Sequence, residues 1–162
     1  MEANKIFLIP DPGKSWEMSE LFKVTDSLMI SNARAACKKD LLISEGVTCC
    51  INVSRRQPFP DFDIHALRIP VFDHPLQNIS DYFDQCVALI DSTIKNGGKC
   101  LVYCKHGRSR SATICIAYLI KHRNMSLKDA FQMVKAVRPS IEPNEGFWSQ
   151  LESYEKSLQQ NP

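Results

Sequence analysis

The sequence predicts an α/β fold: a central mixed, mostly parallel sheet of about four to five strands flanked by helices. Two observations lead to it. Short apolar or β-branched runs alternate along the chain with longer segments of helical period. One stretch, Lys99–Ile120, also reads as strand, loop and helix in immediate succession. Within it Lys99–Tyr103 is a short apolar run ending at a cysteine, and Cys104–Arg110 is small, polar and basic around one glycine. Ser111–Ile120 is apolar on nearly every side, as a central buried helix is.

The elements follow in order. Met1–Glu20 contains Pro10, Pro12 and Gly13, which break regular structure, so an N-terminal arm precedes a folded domain over residues 21–158 and a short tail, 159–162. The arm is either a tail or a segment that packs on a sheet edge or a partner. Lys23–Ile30 reads as the first strand, and Asn32–Glu45 as a helix bearing Ala33, Ala36, Leu41 and Leu42, ended by Gly46. Val47–Val53 is a strand carrying Cys49 and Cys50, read as small buried hydrophobes. Either could reach Cys104 as an oxidation partner if its strand neighbours that loop. Arg55–Asp63 is a charged, proline-bearing loop. Ala66–Val71 is a strand interrupted by Pro70, hence short or near an edge.

Phe72–Ser80 is polar and without period. Ser80 is placed to cap a helix over Asp81–Lys95, with an apolar stripe of Phe83, Cys86, Val87, Ile90 and Ile94. Gly97 and Gly98 end it. Beyond the central helix, Ser126 caps Leu127–Val137, Arg138–Pro143 is a connector, and Asn144–Leu158 is a last amphipathic helix with Phe147, Leu151, Tyr154 and Leu158 inward.

The chemistry follows from Cys104. A strand that stops, turns through a glycine-containing loop and opens a helix points backbone N–H groups at a common centre. The helix dipole adds about +0.5 charge there. A cysteine so placed beside cations can titrate at about 3.5–7.5 rather than near 8.5, which predicts a thiolate. Arg110 offers a planar fork for two oxygens of a tetrahedral anion. A thiolate under such a cradle is suited to attack phosphorus and form a cysteinyl-phosphate. The spacing Cys-x5-Arg alone is weak evidence, because it occurs three times: Cys49 to Arg55, Cys50 to Arg56, and Cys104 to Arg110. The first two lie in a glycine-free β-branched run that, extended over six residues, spans roughly 20 Å and cannot wrap an anion. A general acid is also needed for the leaving oxygen. Asp61, Asp63 and Asp73 are candidates, and Asp73 is favoured because it follows a strand end.

Composition bounds the rest. A chain of 162 residues makes one domain with a proper core. A net charge of +2 gives no support to a nucleic-acid partner or a bulk membrane surface. No apolar run approaches the roughly 18 residues of a membrane span. Seven cysteines without CxxC pairs suggest reduced thiols, hence a cytoplasmic or nuclear protein. Cys100, Cys104 and His106 are close in sequence, but no second ligand pair favours zinc. Neither metal nor organic cofactor is expected, and the protein is expected to be a monomer.

The segment YCKHGRSRSATICIAYL resembles the pattern HC-x-x-G-x-S-R-S, followed by an AYL helix, of the cysteine-dependent dual-specificity protein phosphatases. The similarity extends from about Val24 to Leu158 through INVS at Ile51–Ser54, IPVFDHPLQNIS at Ile69–Ser80 and EPNEGFWSQL at Glu142–Leu151. It implies the protein tyrosine phosphatase-like fold and hydrolysis of phosphotyrosine and phosphoserine/threonine in proteins. It implies Cys104 as nucleophile, Arg110 as phosphate ligand and Asp73 as general acid. Lys105, His106, Gly107, Arg108 and Ser109 then supply backbone N–H groups, and Asn52 helps hold the phosphate loop. Ser111 could hydrogen-bond the sulfur and help expel it, or serve as a helix cap alone.

The chain departs from the family where the residue before the nucleophile, usually His, is Tyr103. Slower catalysis is the expectation. Other readings are a weakly active or inactive phosphoprotein-binding module and a sulfurtransferase. Lys105 and Arg108 add two cations flanking the pocket and motivate a further one, a phosphoinositide phosphatase.

Overall fold

The structure, a computed structural model, describes residues 20–160. The expected arm therefore lies outside the described residues apart from Glu20. Five strands form one sheet in the order β1-β2-β5-β3-β4. These are β1 (Phe22–Lys23), β2 (Leu28–Asn32), β3 (Cys49–Asn52), β4 (His65–Arg68) and β5 (Cys100–Cys104). β2, β5, β3 and β4 run parallel and β1 pairs antiparallel with β2. The sheet is mixed and mostly parallel, as the alternation of elements predicts.

Side chains alternate across the sheet because successive residues of a strand point to opposite faces. Leu28, Ile30, Cys49, Ile51, Cys100, Val102 and Cys104 enter the larger core. That core is covered by α3 (Phe83–Lys95), α4 (Arg110–His122), α5 (Leu127–Val137) and α6 (Glu145–Gln160). Met29, Cys50, Leu101 and Tyr103 face a smaller core with Ala33, Ala36 and Leu42, from α1 (Ala33–Ala36) and α2 (Lys39–Ser44). Every residue from Ser111 to Ile120 is buried, which explains the unbroken apolar character of α4. No helix among the described residues is long and apolar enough to cross a membrane.

Several boundaries differ from expectation for local reasons. The single strand expected over Lys23–Ile30 is a hairpin, because Thr25 Oγ1 accepts from the amides of Ser27 (3.2 Å) and Leu28 (3.0 Å) and turns the chain. The helix expected over Asn32–Glu45 is two short ones. Asn32 caps the first through Oδ1, which accepts from Ala35 N at 2.9 Å. The chain breaks at Cys37, whose thiol reaches the Pro58 carbonyl at 3.6 Å. Ser80 does not cap α3. It opens a 3-10 turn, Ser80–Tyr82, its hydroxyl donates to Asn78 Oδ1 (2.8 Å), and its amide donates to Gln150 Oε1 (2.9 Å). Ser126 does cap α5, accepting from Asp129 N at 3.1 Å. β4 stops before Pro70 and is an edge strand. The last helix, expected to end at Leu158, continues through Gln160, and the rest of the expected tail lies outside the described residues.

Register also answers the cysteine question. Cys49 stands opposite Cys100, four residues back from Cys104 along β5, which is about 13 Å of strand. Cys50 faces the opposite core. Neither neighbours the nucleophile candidate.

Phe147 of α6 is fully buried. Replacing it by Ala is expected to lower unfolding free energy by about 3–5 kcal/mol, read from urea denaturation.

Candidate active site

Cys104 ends the central strand and Arg110 begins α4, so the loop between them sits at the carboxyl edge of the sheet. The loop's own polar groups explain its shape. Each of its five carbonyls is taken from outside. Lys105 O accepts from Ala33 N (3.3 Å), and Arg108 O accepts from Glu142 N (2.8 Å). His106 O accepts from Arg138 Nη2 (2.9 Å) and Gly107 O from Arg138 Nε (2.9 Å). Ser109 O accepts from Thr113 N (2.9 Å) and Thr113 Oγ1 (2.8 Å). The amides of Lys105–Ser109 meet no acceptor among the described residues. With the carbonyls outward, they form an anion cradle at a helix N-terminus.

Gly107 is indispensable to this turn. Its φ is +64°, and a Cβ there would lie 2.7 Å from the backbone carbonyl carbon and oxygen of Ser31. Only glycine allows the loop to lie this close to the end of β2.

The chemical groups converge on a cavity of about 240 Å³ lined by Asp73, Cys104, His106, Arg108, Ser109, Arg110 and Glu142. Cys104 is 2% exposed, so its sulfur is reached through this opening. Its Sγ lies 3.1 Å from the buried Ser111 Oγ, an O–H placed to donate to a thiolate. The Arg110 guanidinium is pre-oriented by a bond from Nη1 to Val71 O at 3.1 Å. Arg108 lies along the rim, with Nε donating to Ser140 O (3.1 Å) and Nη2 3.8 Å from Glu142 Oε2.

Asp73 is exposed on the loop after β4, and its Oδ1 accepts from Asn144 Nδ2 at 3.0 Å. The same Asn144 donates its amide to Ser109 Oγ (3.0 Å) and accepts from Phe147 N through Oδ1 (2.9 Å). The Asp73 loop is held further by Gln150, whose Nε2 donates to Gln77 O at 2.9 Å. At Gly146 a Cβ would fall within 1.8 Å of Pro75 O, so α6 and this loop touch backbone to backbone.

The geometry belongs to a known family. A model of the dual specificity phosphatase catalytic domain matches residues 28–157. The chain belongs to the dual specificity phosphatase family. Mouse dual specificity phosphatase 28 is 51% identical over 138 residues, covering 85% of either chain. Rat dual specificity protein phosphatase 18 is 44% identical over 142 residues, 87% of this chain and 70% of that one. The crystal structure of human dual specificity phosphatase 28 superposes with a TM-score of 0.84 at 47% identity, covering 93% of this chain and 97% of that one.

The structure brings together Cys104, Arg110, Ser111, Asp73 and the Lys105–Ser109 loop. It moves Asn52 elsewhere. Its Nδ2 donates to Gln57 O (2.8 Å) and its Oδ1 accepts from Ser54 Oγ (2.5 Å), so it holds the 54–57 turn rather than the phosphate loop. Tyr103 is fully buried on the sheet face opposite Cys104 and donates its hydroxyl to Pro58 O at 2.9 Å. Burial pushes its phenol far above the ordinary range, so it stays neutral.

Sequence reasoning missed Arg138 and Asn144. Arg138, placed in a mere connector, is 3% exposed, bonds two loop carbonyls and lies 4.7 Å from the Phe22 ring centroid. No periodicity marks it. Asn144 carried a legible signal as a helix N-cap, but its bond to Asp73 spans 71 residues. Arg138→Ala removes charged donors from two loop carbonyls, that of Gly107 in a buried bond and that of His106 in a half-buried one. It is expected to lower stability by about 3 kcal/mol in urea unfolding and to reduce kcat/KM for p-nitrophenyl phosphate.

Proposed function

We propose that this dual specificity phosphatase domain works through a phosphorylated Cys104. The observation that carries this reading is the outward engagement of all five loop carbonyls around a sulfur 3.1 Å from Ser111 Oγ. The inward amides and Arg110 hold the equatorial oxygens of the phosphoryl group, and the sulfur attacks in line. Asp73, which lines the same cavity, protonates the departing serine, threonine or tyrosine oxygen. Water then attacks phosphorus with the deprotonated Asp73 as base, and the Ser111 hydroxyl stabilises the leaving thiolate.

Phosphorylated proteins are the proposed substrates. A phosphoinositide substrate gains little from Arg108, because Glu142 lies against it on the rim. Tyr103 is proposed to slow turnover. Its hydroxyl is committed to Pro58 on the far side of the sheet, so the position before the nucleophile contributes no donor to the phosphate loop.

Cys104→Ser is expected to abolish hydrolysis. Acid-quenched wild-type enzyme should show a phosphate on residue 104 by mass spectrometry, and absence of that adduct would overturn the covalent mechanism. Asp73→Asn should reduce kcat by about 10²–10⁴ for a phosphoserine peptide, with a smaller loss for p-nitrophenyl phosphate, whose leaving group needs no proton. Ser111→Ala should give a burst of p-nitrophenol followed by a slower steady state, seen by stopped flow. Tyr103→His should raise kcat on the same substrate.

A further inference from the structure

The turn 54–57 presents two adjacent exposed arginines, Arg55 and Arg56, and is held more firmly than a solvated loop requires. Buried Asn52 and Ser54 bond each other and close the turn, with Gln57 N donating to Ser54 Oγ at 3.1 Å. Arg68 of β4 donates to Ser54 O (3.1 Å) through Nη1 and to Gln57 O (2.8 Å) through Nη2. The next carbonyl, Pro58 O, receives the Tyr103 hydroxyl from β5 at 2.9 Å. Three strands of the sheet thus fix a surface turn whose outward side chains are both cationic.

Beside that turn lies a groove of about 390 Å³ lined by Ser54, Arg55, Arg56, Gln57, Phe72, Lys105 and Arg110. Four of these seven are cations and none is acidic. Arg55, Arg56 and Lys105 have no carboxylate within ion-pair distance among the described residues, whereas Arg108 on the other rim faces Glu142. The Arg55 guanidinium sits 4.2 Å above the ring centroid of Phe72, which steadies it. Phe72 immediately precedes Asp73, and Arg110 lines both this groove and the catalytic cavity. The groove is therefore continuous with the reaction centre.

We propose that this groove is a second anion subsite, which takes a carboxylate or a second phosphoryl group carried by the substrate polypeptide next to the phosphorylated residue. Arginine forks bind either anion bidentately, and Phe72 supplies an apolar wall for the stem of the side chain. Clustered like charge beside a cleft also speeds encounter with acidic substrates. The proposal rests on the protein-phosphatase reading above and adds its sequence preference.

The test compares kcat/KM for three peptides sharing one phosphotyrosine: neutral flanks, acidic flanks, and a second phosphorylated residue. Wild type is expected to favour the two anionic peptides over the neutral one by about tenfold, equivalent to about 1.4 kcal/mol. The preference should shrink with added salt. In Arg55→Ala/Arg56→Ala it should collapse toward one, and in Arg55→Glu/Arg56→Glu it should reverse in favour of a lysine-flanked peptide. Far-UV circular dichroism checks that both variants are folded. A preference for one anionic peptide alone identifies which anion the subsite takes. Equal hydrolysis of all three peptides by wild type, or a preference that survives in both variants, overturns the subsite and leaves the phosphatase reading standing. Hydrolysis of p-nitrophenyl phosphate or inositol-lipid phosphates, with no phosphopeptide turned over, removes the protein-substrate reading and the subsite with it.

Discussion

Five consecutive amides can point at one centre only if five carbonyls find partners on the outside, and that condition shapes much of this molecule. The partners come from four places: the start of α1, the residue after α5, the segment leading into α6, and the first turn of α4. Each is distant in sequence from the loop or belongs to a helix the loop itself initiates. The cradle is thus a property of the whole α/β domain. A buried peptide carbonyl left without a donor costs about 1–3 kcal/mol, so turning the loop inside out would be strongly opposed.

The same logic extends to the acid. Asp73 sits on an exposed loop, yet the loop is tied to α6 through Asn144, Gln150 and the close approach of Gly146 to Pro75. Asn144 also bonds Ser109, so one side chain and its amide link acid, phosphate loop and helix. The last helix is therefore part of the site, although none of its residues bears reactive chemistry. Asp73 and Cys104 line one cavity, and this linkage fixes the Asp73 loop against the loop that carries Cys104.

The central strand serves both faces. Cys104 emerges toward the helices of the larger core, and Tyr103, one residue earlier, projects to the other side. There its hydroxyl holds Pro58 at the end of the arginine-bearing turn. Strand alternation places the candidate nucleophile and the anchor of that turn on successive residues. Asn52 reaches the same turn from β3 and Arg68 from the edge strand β4.

The alternation of elements, the buried α4 and the placement of Cys104 and Arg110 at the two ends of one loop were legible in the sequence, because each is written locally: in period, in a strand–glycine loop–helix order, or in a spacing of six residues. Ser126 as a cap and Gly107 as a turn residue were legible for the same reason. The role of Arg138, the bond between Asn144 and Asp73, and the true partners of Asn52 were not. The hairpin at Thr25 and the break at Cys37 are marked by one or two side-chain hydrogen bonds each, which leave no periodic trace. Sequence determined which reactive groups share one loop, since reactivity resides in residue type and local backbone. Tertiary structure decided what holds them, since a carbonyl accepts whichever donor packing brings within about 3 Å, however far away it is along the chain.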